Sequence, residues 1–210
     1  NMIRSYIHRC QKDGVKIVMS CEVTPELIKE EKPDSVIIAT GSKTLILPIE
    51  GIDNPAIIHG SDLLDGKRAA GKKVLVVGGG MVGCETAAFL GEQEHDVTVI
   101  EFRDTVGADV IHEHRVYLMK DFEDYGIKEI TGAKVCKFYE DGVEYETADG
   151  VRHETRGYDS VILSMGFRNY NPLEEKIKDL VPETHVIGDA IRARRALDAT
   201  KEAYAVASKL

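Results

Sequence analysis

The sequence predicts an α/β protein: a Rossmann-like three-layer domain, a parallel sheet plus an antiparallel β-meander, inserted in a partial second domain. Three observations predict it. A short apolar run, Val74 to Val77, leads straight into Gly78-Gly79-Gly80-Met81-Val82-Gly83. A second apolar run, Asp96 to Ile100, ends at Glu101. Further on, Asp141-Gly142 and Asp149-Gly150 break closely spaced strand-like runs in the manner of hairpin turns.

The elements follow in order. Ile3, Tyr6, Ile7 and Cys10 fall on one helical face that ends near Gly14, and Val15 to Met19 reads as a strand. Thr24-Pro25 supplies a helix cap and a first-turn proline, and Lys32-Pro33 ends that helix. Ser35 to Ala39 is a buried strand running into Thr40-Gly41. From Ser42 to Gly71 the pattern loosens, with Pro48, Gly51, Pro55, Gly60 and Gly66 as punctuation, which places a domain crossing there. The glycine turn is expected over Gly78–Gly83, with a helix from Cys84 to Gln93 behind it and another from about Val110 to Tyr125. A short strand near Ile127 to Thr131 is expected beside Val74–Val77, Val97–Ile100 and Val161–Leu163, all parallel. Runs around Ala133–Phe138, Val143–Thr147 and Val151–Thr155 form the separate antiparallel layer. His185 to Ile187 is a last strand, before Gly188-Asp189-Ala190 and a helix from about Ala193 to Leu210.

Composition narrows the function classes. The chain has 210 residues, 43% of them hydrophobic, enough for a substantial core. A formal charge of −9 with no Lys/Arg stripe argues against nucleic acid and acidic membrane surfaces. No apolar run approaches the ~20 residues that span a bilayer, and the first residues lack a signal-peptide core, so a cytoplasmic location is expected. Cys10, Cys21, Cys84 and Cys136 form no C-x-x-C, so neither a zinc knuckle nor a redox dithiol is signalled. His112-Glu113-His114 lacks the i, i+4 spacing of a helical metal pair, and no metal site is expected.

The chemistry rests on the glycine turn. A dinucleotide's diphosphate needs backbone N–H groups with no side chain in the way, and a strand–glycine turn–helix supplies them. Gly78 permits the tight turn, Gly80 lets backbone approach the diphosphate, Gly83 lets the helix pack close, and Gly79, Met81 and Val82 complete the cradle. Glu101, at the end of the second strand, is placed to accept from the adenosine ribose hydroxyls and to repel a 2′-phosphate, which favours NAD(H) over NADP(H). Phe102 and Arg103 follow it, and Arg103 is the opposing signal, a cation able to hold a 2′-phosphate. Glu85, in the first turn of the expected helix, reads equally as a dipole-complementing carboxylate or as a group near the nicotinamide. Cys84 begins the same helix and reads as a packing residue.

These motifs resemble the two-dinucleotide-fold flavoprotein reductases. More closely, the chain is similar to the C-terminal portion of the old yellow enzyme-type NADH:flavin oxidoreductases, the group of the 2,4-dienoyl-CoA and enoate reductases. Val36-Ile37-Ile38-Ala39-Thr40-Gly41 resembles the strand and turn leading out of the flavin domain, and Val74 to Glu101 the inserted NAD domain. Val161 to Arg168, with Gly166, resembles the return strand, and Val186-Ile187-Gly188-Asp189-Ala190 the second flavin motif, whose aspartate holds the FAD ribityl and phosphate region.

The resemblance implies a division into residues 66–160, binding NAD(H), and residues 1–65 with 161–210, part of an FAD domain lacking its first glycine-rich motif. It implies hydride transfer from NADH to FAD, and a preceding N-terminal barrel domain carrying FMN and an iron–sulfur cluster that receives the electrons. The 210 residues alone are then expected to be inactive and to hold little FAD. Two other readings stay open: a non-catalytic NAD(H)-binding module and a fragment of a pyridine nucleotide-disulfide reductase.

Overall fold

The computed structural model describes residues 2–210, which divide into two compact units: residues 2–41 with Tyr170–Leu210, and Ser42–Asn169. Along the chain the first unit contributes α1 (Met2–Lys12), α2 (Pro25–Glu31) and β1 (Ser35–Ile38). The second holds β2 (Ser42–Thr44), β3 (Ile58–His59), α3 (Gly60–Leu64), β4 (Lys73–Val77), α4 (Met81–Glu92), β5 (Asp96–Ile100) and α5 (His112–Asp124). It continues with β6 (Lys128–Ile130), β7 (Lys134–Tyr139), β8 (Gly142–Glu146), β9 (Arg152–Thr155), β10 (Ser160–Leu163) and β11 (Phe167–Asn169). The chain then returns to the first unit with α6 (Glu174–Ile177), β12 (Glu183–Val186) and α7 (Ala196–Ala207).

The Ser42–Asn169 unit is a three-layer α/β domain. Its central sheet runs β3-β10-β4-β5-β6, every pair parallel, and β7-β8-β9 form a separate antiparallel sheet. Parallel strands covered on both faces are apolar throughout rather than alternating. Val74, Val76, Val97, Val99 and Ile162 face a core completed by Cys84, Ala87 and Leu90 of α4 and Leu118 and Phe122 of α5. Leu75, Val77, Ile100, Val161 and Leu163 face the other side, packing with Val135, Phe138 and Val143 of the meander. The four strands expected as parallel neighbours are neighbours; β3, a two-residue edge strand after the loosened segment, joins them from outside that expectation.

This unit is wider than residues 66–160. β2 pairs antiparallel with β11, Ser42 opposite Asn169 and Thr44 opposite Phe167, and that ladder draws both flanking segments into the same body. Two helix starts also differ. The helix after the glycine turn begins at Met81, not Cys84, so Met81, Val82 and Gly83 are its first residues and the turn proper is Gly78–Gly80. The next helix begins at His112 rather than Val110, because Val106 and Val110 are buried in a loop that packs back on α4.

The other unit has a smaller core, Ile28, Ile38, Leu173, Ile177 and Val181, around the parallel pair β1–β12. Thr24 caps α2 as its sequence demands, its hydroxyl accepting from the Leu27 N–H at 3.3 Å. The strand expected at Val15–Met19 does not form. A lone apolar run gains nothing as a strand without a ladder partner, and Val15, Ile17, Val18 and Met19 are all exposed. No helix among the described residues is long and apolar enough to cross a membrane.

Candidate functional site

The glycine turn sits where β4 hands over to α4, at the C-terminal edge of the parallel sheet, the place where open α/β sheets bind ligands. Gly78 adopts φ +106°, and its N–H donates to the Ile100 carbonyl at 2.9 Å, tying the turn to the end of β5. A Cβ on Gly78 would stand 2.4 Å from the Ser164 carbonyl oxygen. A Cβ on Gly83 would stand 1.8 Å from the Gly78 carbonyl oxygen, so α4 seats on the turn only with glycine there. Gly80 differs: the nearest atom to a Cβ there is a carboxylate oxygen of Asp109 at 3.3 Å, the tip of a side chain able to turn aside.

Glu101, half-buried just beyond β5, reaches back over the turn. One carboxylate oxygen accepts from the Gly79 N–H at 2.6 Å, the other from the Arg103 N–H at 3.0 Å. Each oxygen keeps a further lone pair. The loop after Glu101 is also pinned to the turn, the Gly107 N–H donating to the Gly79 carbonyl at 2.7 Å. Arg115 of α5 holds that loop from behind, donating to the Thr105 hydroxyl at 2.9 Å and the Val106 carbonyl at 3.1 Å.

Beside Glu101 opens a cavity of about 490 Å³ lined by Phe102, Arg103, Asp104, Lys134, Glu146 and Thr147 among others. Phe102 and Arg103 were expected at this end of the site; Lys134 and the β8–β9 turn were not, because the meander's register brings them there from more than 30 residues away.

Glu85 is half-buried on α4, and the helix's earlier start puts it in the second turn, where the dipole acts less on it than expected. Cys84 is fully buried; its thiol donates to the Gly79 carbonyl at 3.2 Å, and burial, with Asp109, Glu129 and Glu101 adding to it, pushes its pKa up to about 12. It is a packing residue and not a nucleophile. Gly166, φ +97°, lies past β10, and its carbonyl accepts from the Leu45 N–H at 2.9 Å.

The remaining candidates come together in the other unit. The parallel register of β1 and β12, with the Ile187 N–H donating to the Ile38 carbonyl at 3.0 Å, puts Thr40-Gly41 and Gly188-Asp189 past the C-terminal ends of adjacent strands. Gly41 and Gly188 both have positive φ, +75° and +62°. The Thr40 hydroxyl donates to the Tyr170 carbonyl. Asp189 accepts from the Arg194 N–H at 3.0 Å, and Glu202 of α7 accepts from the Gly188 N–H at 2.7 Å while pairing with Arg194. The Arg194 guanidinium, aided by the Gly188 N–H, holds the Glu202 carboxyl below its usual range. Among the described residues no group of three or more His, Cys, Asp or Glu is placed to hold a metal ion.

The chain is similar to several reductases and an oxidase. It is 30% identical over 200 residues to cinnamate reductase of Clostridium sporogenes, covering 94% of this chain and 30% of that protein. It is 32% identical over 199 residues to NADH oxidase of Thermoanaerobacter brockii, covering 92% and 30%. Among solved structures, a 2-naphthoyl-CoA reductase in complex with 2-naphthoyl-CoA superposes with a TM-score of 0.91 at 31% identity, over all of this chain and 32% of that one. The chain thus spans about a third of the length of these relatives. The signature of the pyridine nucleotide-disulphide oxidoreductases matches residues 2–190, and the cofactors of that family are FAD and NAD(H), the NAD(H) expected from the glycine turn with Glu101 and the FAD implied by the resemblance. With its glycine turn in a three-layer α/β domain and its Gly188-Asp189 motif, this chain belongs to the pyridine nucleotide-disulphide oxidoreductase family.

Proposed function

We propose that this chain is the NAD(H)-binding part of a flavin-dependent oxidoreductase of the old yellow enzyme-type NADH:flavin group, with Ser42–Asn169 binding NAD(H) and the other unit contributing to an FAD site. NADH, when bound, supplies a hydride that the flavin accepts, and the protein's share is binding and orientation.

The observation that carries the reading is the meeting of turn, helix and carboxylate. Gly78–Gly80 opens onto the N-terminus of the twelve-residue α4, and Glu101 stands at that turn, 2.6 Å from the Gly79 N–H. The fit to a diphosphate is sterically sound, because a glycine at position 80 leaves the helix terminus open up to a movable side chain. In the proposed complex the Gly80, Met81 and Val82 N–H groups face the diphosphate, while the Gly79 N–H stays on Glu101, which offers its remaining lone pairs to the ribose hydroxyls. The Phe102–Arg103 cavity takes the adenine end, and Gly166 borders the nicotinamide end together with Glu85. In the other unit Thr40, Gly41, Gly188 and Asp189 contact the flavin. Electrons pass onward to an acceptor centre in an N-terminal partner region, and the 210 residues alone have no steady-state reductase activity.

The test is a titration of NADH into the 210-residue protein and its Gly80→Ala variant. The wild type is expected to bind, and the variant to stay folded and lose binding, since a methyl group there blocks the diphosphate's approach. Equal affinities would remove the turn from the site.

A further inference from the structure

The N-terminus of α4 already carries an anion. Asp109, exposed and in the loop between β5 and α5, turns its carboxylate onto the helix, accepting from the Met81 N–H at 3.0 Å. Its second oxygen is the atom nearest to a Cβ built on Gly80, at 3.3 Å. That volume is the one a diphosphate needs, and Met81 is the first residue of the helix. Charge and position both match what a phosphate oxygen would supply.

The loop that carries Asp109 is anchored on both sides of it. Val106 and Val110 are buried in the core shared with α4 and α5. The Gly107 N–H binds the Gly79 carbonyl, the Val110 N–H donates to the Gly107 carbonyl at 3.1 Å, and Arg115 bonds Thr105 and Val106. Admitting a ligand therefore needs only a rotation of the Asp109 side chain about its own bonds, with the backbone in place.

We propose that Asp109 is the resident anion of the diphosphate cradle, an internal competitor that gives way when a dinucleotide binds and so holds down the affinity for NAD(H). This rests on the reading of Gly78–Gly80 and α4 as the NAD(H) site. While the site is free, Asp109 satisfies a helix N–H that would otherwise be unpartnered. Once the diphosphate arrives, it leaves a like charge within a few ångströms of the ligand. Both effects oppose binding of any ligand that carries the diphosphate, and neither acts on a ligand without one.

The experiment titrates NADH, ADP-ribose and adenosine into the wild type, Asp109→Asn and Asp109→Ser. Asparagine and serine keep an oxygen that can accept from the Met81 N–H, so the cap survives while the charge is lost. NADH and ADP-ribose are expected to bind the variants about five-fold more tightly or better, the fold-change of one like-charge pair at ~4 Å even in bulk water. Adenosine affinity is expected to stay within about two-fold, since that ligand meets the loop but carries no diphosphate. Unchanged or weakened ADP-ribose binding overturns the proposal and leaves the NAD(H) site standing. A parallel tightening of adenosine also overturns it, because a merely loosened loop would act on both ligands. If none of the three proteins binds NADH or ADP-ribose, the NAD(H) reading fails and the proposal fails with it.

Discussion

Glu101 binds the backbone of Gly79: a carboxylate oxygen at the end of the second central strand lies 2.6 Å from the N–H of a residue in the middle of the glycine turn. Strand end and turn are thereby one rigid piece, and the carboxylate is fixed in place before any ligand arrives. Such charge-assisted bonds are short and strong, and pre-organisation lowers the entropy cost of binding.

The Glu101→Ala variant is accordingly expected to weaken NADH binding by roughly 1–3 kcal/mol, the scale of hydrogen bonds to a charged group. It is also expected to narrow the gap between NADH and NADPH, because the carboxylate's repulsion of a 2′-phosphate goes with it. Calorimetric titration of both nucleotides reads the two effects together. A loss of NADH affinity that leaves the NADPH ratio unchanged would show that the carboxylate supports the turn without reading the ribose.

The glycines divide into structural and approach positions. Gly83→Ala is expected to destabilise the Ser42–Asn169 unit by at least about 1–3 kcal/mol, the scale of overpacking, since its Cβ would overlap the Gly78 carbonyl oxygen at 1.8 Å. Gly80→Ala meets only a movable carboxylate at 3.3 Å and is expected to leave the melting temperature nearly unchanged. Thermal melts followed by circular dichroism separate the two; equal losses would contradict the assignment.

Much of this was legible in the sequence for identifiable reasons. A strand buried on both faces has to be apolar at every position, which is why Val74–Val77 and Val161–Leu163 stand out. The glycine spacing is set by contacts that a single Cβ would destroy, so it too is visible. Other features carried no local signal. β2 and β11 are three residues each, Ser42–Thr44 and Phe167–Asn169, and neither sequence shows the alternation that marks a strand. Asp109 reached the helix terminus through a loop fold fixed by Val106, Gly107 and Arg115, and no spacing rule announces that. Val15–Met19 shows the converse, an apolar run with strand character that the described residues leave unpaired.

Cys84 makes a prediction about pH. Burial raises its thiol pKa from about 9 to about 12, so between those values the unfolded chain loses a proton that the folded chain keeps. The group contributes its full stability below about pH 9, and that contribution falls as pH rises toward 12, by up to about 1.4 kcal/mol per pH unit. Denaturant unfolding at pH 8 and pH 10.5 is expected to show a smaller alkaline loss in Cys84→Ala than in the wild type. An equal loss would place the alkaline sensitivity elsewhere. Exposed Cys21 is expected to alkylate with iodoacetamide at pH 8 long before Cys84, by peptide mass mapping.

The most direct test of the account is a calorimetric titration of NADH and NADPH into the 210-residue protein. The Gly78–Gly80 turn, α4 and Glu101 predict that NADH binds with one site per chain and more tightly than NADPH, with Arg103 secondary. Tighter binding of NADPH would transfer the selectivity to Arg103 and its neighbour across the cavity, Lys134. Binding of neither nucleotide at millimolar concentration would contradict the assignment of this turn as a pyridine-nucleotide site.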